Sequence, residues 1–220
     1  VDNSGLIEGM DAYNQQAYGM LTSGKLAEAL DLDKEDVKLR DRYGRGTAKL
    51  QADGAPKLLD HFLLARRLVE VGVRCVSLSF SRWDWHGGNF NRGRQDFPML
   101  DQGLTALVED LQQRGMDKDV VVVCWGEFGR TPKVLTQQPP GRQHWPKCFS
   151  SILAGCGIAG GKVYGKSDKV GAYVESNPVR PEELAATIYH ALDIPLNEQQ
   201  NNTGISRPLT TGKPVMELFG

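Results

Sequence analysis

Apolar positions recur at helical spacing through the first part of the chain. Leu6, Met10, Tyr13, Ala17 and Leu21 share one face, and Ser23-Gly24 marks its end. A short segment over 26–30 follows, and Asp33 is placed to cap a charged helix running toward Tyr43-Gly44. The Gly-rich polar stretch 44–54 reads as a connection. From Ala55 the pattern becomes helix alternating with strand. Leu58, Phe62, Ala65 and Val69 line a helix that stops near Gly72, and 73–80 is β-branched and strand-like. A polar loop over 87–94 leads to a second helix with Leu100, Leu104, Leu107, Val108 and Leu111 on one side and Gly115 at its end. The nearly unbroken apolar run 120–125 suits a strand covered on both faces. Residues 149–154 and 163–164 are further strand candidates. Pro181 fits the first turn of a last helix, with Glu182 and Glu183 favourable beside its dipole and Leu184, Ile188 and Leu192 inward. The polar stretch 195–220 reads as wrapping the surface.

This alternation predicts an α/β fold with a mostly parallel sheet flanked by helices. It divides the chain into a helical amino-terminal segment and connection over 1–54 and an α/β portion over 55–220. At 220 residues, 40% of them hydrophobic, the chain can bury a sizeable core. Twenty-six Lys and Arg against 27 Asp and Glu leave a formal charge of −1, which removes any global electrostatic case for nucleic acid or an anionic membrane. No apolar run approaches the roughly 18 residues of a membrane span. Four cysteines (Cys75, Cys124, Cys148, Cys156) with no Cys-x-x-Cys pair do not make a disulfide scaffold, and Cys75 and Cys124 read as buried, inert thiols. The chain opens on Val1 with no leader, so either a leader has been removed or this is a piece of something longer.

In parallel sheets ligands bind outside the carboxyl ends of the strands, and there the sequence is unusual. Trp83-Asp84-Trp85-His86-Gly87-Gly88 follows the first strand. In extended chain Asp84 and His86 point one way and the two tryptophans the other. A carboxylate and an imidazole so placed can share a divalent cation, or can simply pair with each other at the surface. After the second strand, Glu127 leaves the sheet at the same end. Arg130 there can meet an oxyanion bidentately or close a salt bridge to Glu127. His144, in a long loop after Pro139-Pro140, is a candidate third ligand beside Asp84 and His86. His61, His190 and Asp168 read as structural.

Four ordered motifs then resemble one family. Trp83-Asp84-Trp85-His86-Gly87, Gly126-Glu127-Phe128-Gly129-Arg130-Thr131-Pro132, Gly141-Arg142-Gln143-His144-Trp145-Pro146 and the segment from Pro181 to Tyr189 look like the carboxyl-terminal half of the domain-of-unknown-function 1501 family, over about residues 33–220. That family is related to the alkaline phosphatase-like superfamily of phosphatases, sulfatases and cofactor-independent phosphoglycerate mutases.

The resemblance implies an alkaline phosphatase-like α/β domain, here partial, with a two-metal site at the strand ends and export or a periplasmic location in many members. Asp84, His86 and His144 resemble the set that holds one metal, with zinc foremost and manganese or calcium as alternates. Glu127 stands where the superfamily places an Asp-His pair for a second metal, but Phe128 follows it, and Gln143 stands where the family has Asp. The nucleophile is expected upstream of this chain. Within it, Arg130 and Arg142 are the candidates for holding the anion, and Thr131 for attack. The function implied is the metal-binding half of a hydrolase of phosphate or sulfate esters, acting on a small-molecule or glycan ester. The alternative is a non-catalytic member that binds metal, glycan or protein through Trp83, Trp85 and Trp145.

Overall fold

A computed structural model of the chain describes residues 6–197, 199–200 and 207–220. Two compact units make it up. The first takes the described residues up to Trp83 together with Gln95–Leu107, and the second takes Asp84–Arg94 with the described residues from Val108.

In the first unit, α1 (Leu6–Thr22), α2 (Gly24–Leu30) and α3 (Val37–Tyr43) form the helical start that the spacing predicts. The cap of α3 is Asp36, whose carboxylate accepts the Leu39 N–H at 3.0 Å; Asp33 instead pairs with Arg40 at 2.7 Å. The stretch expected as a connection folds into a hairpin, β1 (Gly46–Leu50) against β2 (Pro56–Leu58). Gly46 sits at φ 72°, and a Cβ there would lie 1.9 Å from the Lys57 carbonyl oxygen, so only glycine fits. Helix α4 (Asp60–Glu70) buries Phe62, Leu63 and Ala65. Phe62 packs edge-on to Phe80 and lies close against Gly103. Buried Arg66 is paired with Glu35 and Glu70, and buried Asp96 takes both Lys57 and the Ser81 hydroxyl.

A long helix, α5 (Asn89–Gln113), contributes to both units. It begins directly after Gly88, which sits in the left-handed region at φ 69°, so most of the stretch expected as a polar loop is its first turns. In the second unit β3 (Val122–Cys124) runs antiparallel to β6 (Ile152–Ala154), and β4 (Gly129–Arg130) runs antiparallel to β5 (His144–Trp145). A hairpin of β7 (Lys166–Ser167) and β8 (Val174–Ser176) follows. Asp168 organises its turn by accepting backbone N–H groups of Val170, Ala172 and Tyr173. Helix α6 (Pro181–Ala191) starts at the expected proline, and the Glu183 carboxylate accepts the Arg180 N–H at 2.8 Å. Its buried positions are Ala186 and Thr187, and Leu192 is exposed. The segment carrying Thr210, Gly212 and Val215 lies on this face, held by Thr210 to the Glu182 carbonyl and by the Val215 N–H to Thr187 Oγ1.

The chain is thus mixed α/β, but the mostly parallel sheet does not form. Every strand pairing among the described residues is antiparallel and two-stranded. Residues 73–80 have no strand partner there: the backbone around Ser81 bonds to Ala55 and Pro56, and Leu78 and Cys75 are exposed. Residues 163–164 likewise carry no strand. β-Branched composition reports that a segment favours extended chain; it does not name the neighbour or its direction. For the same reason Cys75 is not the buried thiol its apolar surroundings suggest. Cys124 and Cys156 are partly or fully buried, which raises both thiol pKa values, and all four cysteines are free. No helix among the described residues is long and apolar enough to cross a membrane.

Candidate metal centre

Two segments of the second unit build the site. Residues 82–85 form no strand and His86 lies in a bend; the Asp84 and His86 side chains meet at 3.0 Å, while the intervening Trp85 is buried. The second segment is the β4–β5 ladder, in which Arg130 is the direct cross-strand partner of His144. Side chains opposite one another in such a pair lie on the same face. Gly129 lies so close to the Cys148 carbonyl oxygen (2.3 Å from a Cβ built on it) that no larger residue fits the ladder there.

Close backbone contacts seat one segment on the other. A Cβ on Gly141 would lie 1.7 Å from the His86 carbonyl oxygen. The Gly88 N–H donates to the Pro140 carbonyl at 2.9 Å, and Gln137 Nε2 donates to the His86 carbonyl at 2.9 Å. Asn89 bridges the two segments: its amide nitrogen donates to the Trp85 carbonyl, and its amide oxygen accepts the Arg142 N–H at 2.8 Å.

All of this converges on one atom. Asp84 Oδ1 lies 2.8 Å from His144 Nε2, 3.0 Å from His86 Nε2 and 2.8 Å from Arg130 Nη2. The hydrogen bonds from His144 and Arg130 hold the Asp84 carboxyl far below the usual carboxylate range. Asp84, His86 and His144 each offer a ligand atom within 4.8 Å of the others, and their side chains are 50, 41 and 45% exposed, open to an ion or ligand from solvent. The imidazoles are backed by their surroundings. His86 Nδ1 faces Gln143 Oε1 at 2.6 Å, and the Phe128 ring lies 4.3 Å from that of His144, with 4.8 Å between the two imidazole centroids.

The other expected residues sit differently. Glu127 is exposed in a bend outside this group of three, and Arg130 reaches Asp84, a partner that neither reading of its sequence position named. Arg142 lies over the Phe90 ring at 5.4 Å. The Thr131 hydroxyl accepts the Gln143 N–H at 3.1 Å and donates to the Lys133 carbonyl at 2.9 Å, so it frames the hairpin. His190 packs edge-on to Phe219, and Asp168 holds its turn. Trp83 packs against Phe97, and Trp145 donates to the Ala172 carbonyl beside Tyr173. Sequence reasoning missed the framing roles of Asn89, Gln137 and Gly141; only the glycine at the head of Gly141-Arg142-Gln143-His144 signalled a close backbone approach.

No curated protein and no solved structure matches the chain. A family model does, described as a protein of unknown function (DUF1501), and it matches residues 2–219, well beyond the stretch that carries the four motifs. With that match spanning nearly its whole length, the chain belongs to the DUF1501 family.

Proposed function

We propose that Asp84, His86 and His144 hold a divalent cation, zinc foremost, in a hydrolase of phosphate or sulfate esters of the alkaline phosphatase-like type. The observation that supports this reading is the convergence of two imidazole nitrogens on one carboxylate oxygen at a half-exposed site. Two imidazoles and a carboxylate are a donor set suited to zinc, and three protein ligands leave a fourth position open. A cation bound there supplies Lewis acidity at an ester oxygen. Arg130 lies against the same oxygen, so a cation that takes over Asp84 leaves its guanidinium to an anionic ester oxygen. Phe128 and Gln143 keep the two imidazoles oriented.

A second reading, a non-catalytic member that binds metal, glycan or protein, is favoured by Thr131, whose hydroxyl is engaged on both sides and is not presented for attack. One experiment separates the two. Zinc, manganese and calcium are titrated calorimetrically, and the loaded protein is assayed on p-nitrophenyl phosphate and sulfate. Tight binding with turnover supports the hydrolase, tight binding without turnover the second reading, and no binding of any of the three ions ends the metal proposal.

A further inference from the structure

His86 lies between two oxygen atoms that both accept, one on each ring nitrogen. Its Nε2 faces the Asp84 carboxylate, an acceptor, at 3.0 Å, and its Nδ1 faces the Gln143 side-chain amide at 2.6 Å. A neutral imidazole carries one proton, so it donates at one nitrogen and accepts at the other. With the Gln143 oxygen toward the ring, His86 donates from Nδ1, and the bare Nε2 lone pair then points at a carboxylate; that arrangement is satisfied when a cation stands between them. With the amide turned by 180°, the Gln143 NH2 donates to Nδ1, and Nε2–H donates to Asp84; that arrangement is satisfied with no cation. Both use the same heavy-atom positions, because the amide offers an acceptor and a donor of nearly equal size. The backbone of Gln143 is fixed for this: its N–H donates to Thr131 Oγ1 at 3.1 Å, and its carbonyl accepts the Thr131 N–H at 2.9 Å.

We infer that Gln143 is a positioning residue that turns its amide with metal occupancy, selecting the His86 tautomer that each state of the site requires. This rests on the metal reading above. A carboxylate in place of the amide accepts only, so it fixes the metal-binding tautomer whether or not an ion is present. Gln143 lets the metal-free site satisfy its hydrogen bonds and so makes loading reversible.

The test follows zinc binding by calorimetry and the His86 tautomer by 15N NMR of the imidazoles, well above the ordinary imidazole pKa of about 6.5. It uses the wild-type chain, Gln143→Glu and Gln143→Leu. In the metal-free wild type His86 populates the Nε2–H tautomer, and zinc converts it to Nδ1–H. Gln143→Glu holds Nδ1–H without zinc and binds zinc at least as tightly as the wild type. Gln143→Leu, which offers neither group, binds zinc about 10–100-fold more weakly, the range for residues that orient a metal-ligating histidine. If Gln143→Leu does not fold, the tautomer in Gln143→Glu decides alone. A metal-free wild type already wholly in the Nδ1–H form, or zinc affinity unchanged in Gln143→Leu, overturns the role of Gln143 and leaves the metal site standing. A wild type that binds no zinc overturns both.

Discussion

Arg130 and His144 face each other across the β4–β5 ladder, and both side chains end on the same oxygen of Asp84, each at 2.8 Å. A cross-strand pair is rigid in register, so a two-residue ladder is enough to deliver a guanidinium and an imidazole to one point. The pair also divides the work: His144 can ligate a cation, whereas Arg130 carries a fixed positive charge and cannot.

That division is testable by substitution. His144→Ala is expected to weaken zinc by more than the roughly 100-fold upper range for a supporting residue. Arg130→Ala is expected to keep zinc affinity within about 10-fold yet to lose inorganic phosphate binding to the loaded protein, a charge-assisted contact. Calorimetry measures both; equal loss of zinc in the two variants would contradict the division.

Gly141→Ala carries a different expectation. Its new Cβ would fall 1.7 Å from the His86 carbonyl oxygen, so one of the two segments must move. Overpacking of this kind costs about 1–3 kcal/mol. Thermal melts should register that loss, and zinc affinity should fall with it although no ligand has been touched. A variant as stable and as tight as the wild type would mean that the segments can shift without consequence.

In the packed helices, Leu107 and Phe62 are 8 and 4% exposed. Leu107→Ala is expected to cost about 2–5 kcal/mol and Phe62→Ala about 3–5 kcal/mol. Urea unfolding of the two variants checks this, and losses under about 0.5 kcal/mol at both would mean these faces are not core.

The turn at Asp168 gives a pH dependence of known sign. The backbone N–H of Ala172, with those of Val170, Tyr173 and Gly171, holds this carboxyl below its ordinary value. A group depressed in the folded state adds stability above its unfolded pKa of about 3.9 and loses it as pH falls through the lower folded value. Melting temperatures taken from neutral to acidic pH should therefore fall less steeply below about pH 4 in Asp168→Asn than in the wild type. Parallel curves would show that Asp168 adds nothing to the acid sensitivity.

What the sequence made legible was local. The two-residue spacing of Asp84 and His86 implies one face in extended chain, and Pro181 with Glu182 and Glu183 marks a helix start without reference to anything distant. Direction of pairing is not local. The run 120–125 reads as the centre of a parallel sheet, yet Val122–Cys124 meets Ile152–Ala154 antiparallel, because apolar composition is indifferent to strand direction. The same limit applied at the site. Arg130 could be expected to close on Glu127, three residues away; that it reaches Asp84, 46 positions earlier, depends on how β4 and β5 pair. Face assignment failed in a milder way on α6, where Thr187 and Ala186 are the buried positions and Thr187 takes the Val215 N–H, a contact that periodicity within the helix cannot register.

The meeting of Asp84 with His144 has a further consequence in chain entropy. These residues are 60 positions apart, and their contact closes a loop that contains the whole of α5, β3 and β4. A tie across a loop of that length removes about 4 kcal/mol of disorder from the unfolded chain when it is covalent. An ion gripped by both ends is a reversible version of such a tie, with a strength set by its free concentration relative to its dissociation constant. Chelation would then act as reduction does on a disulfide-bonded protein: it opens the loop and loosens everything strung along it.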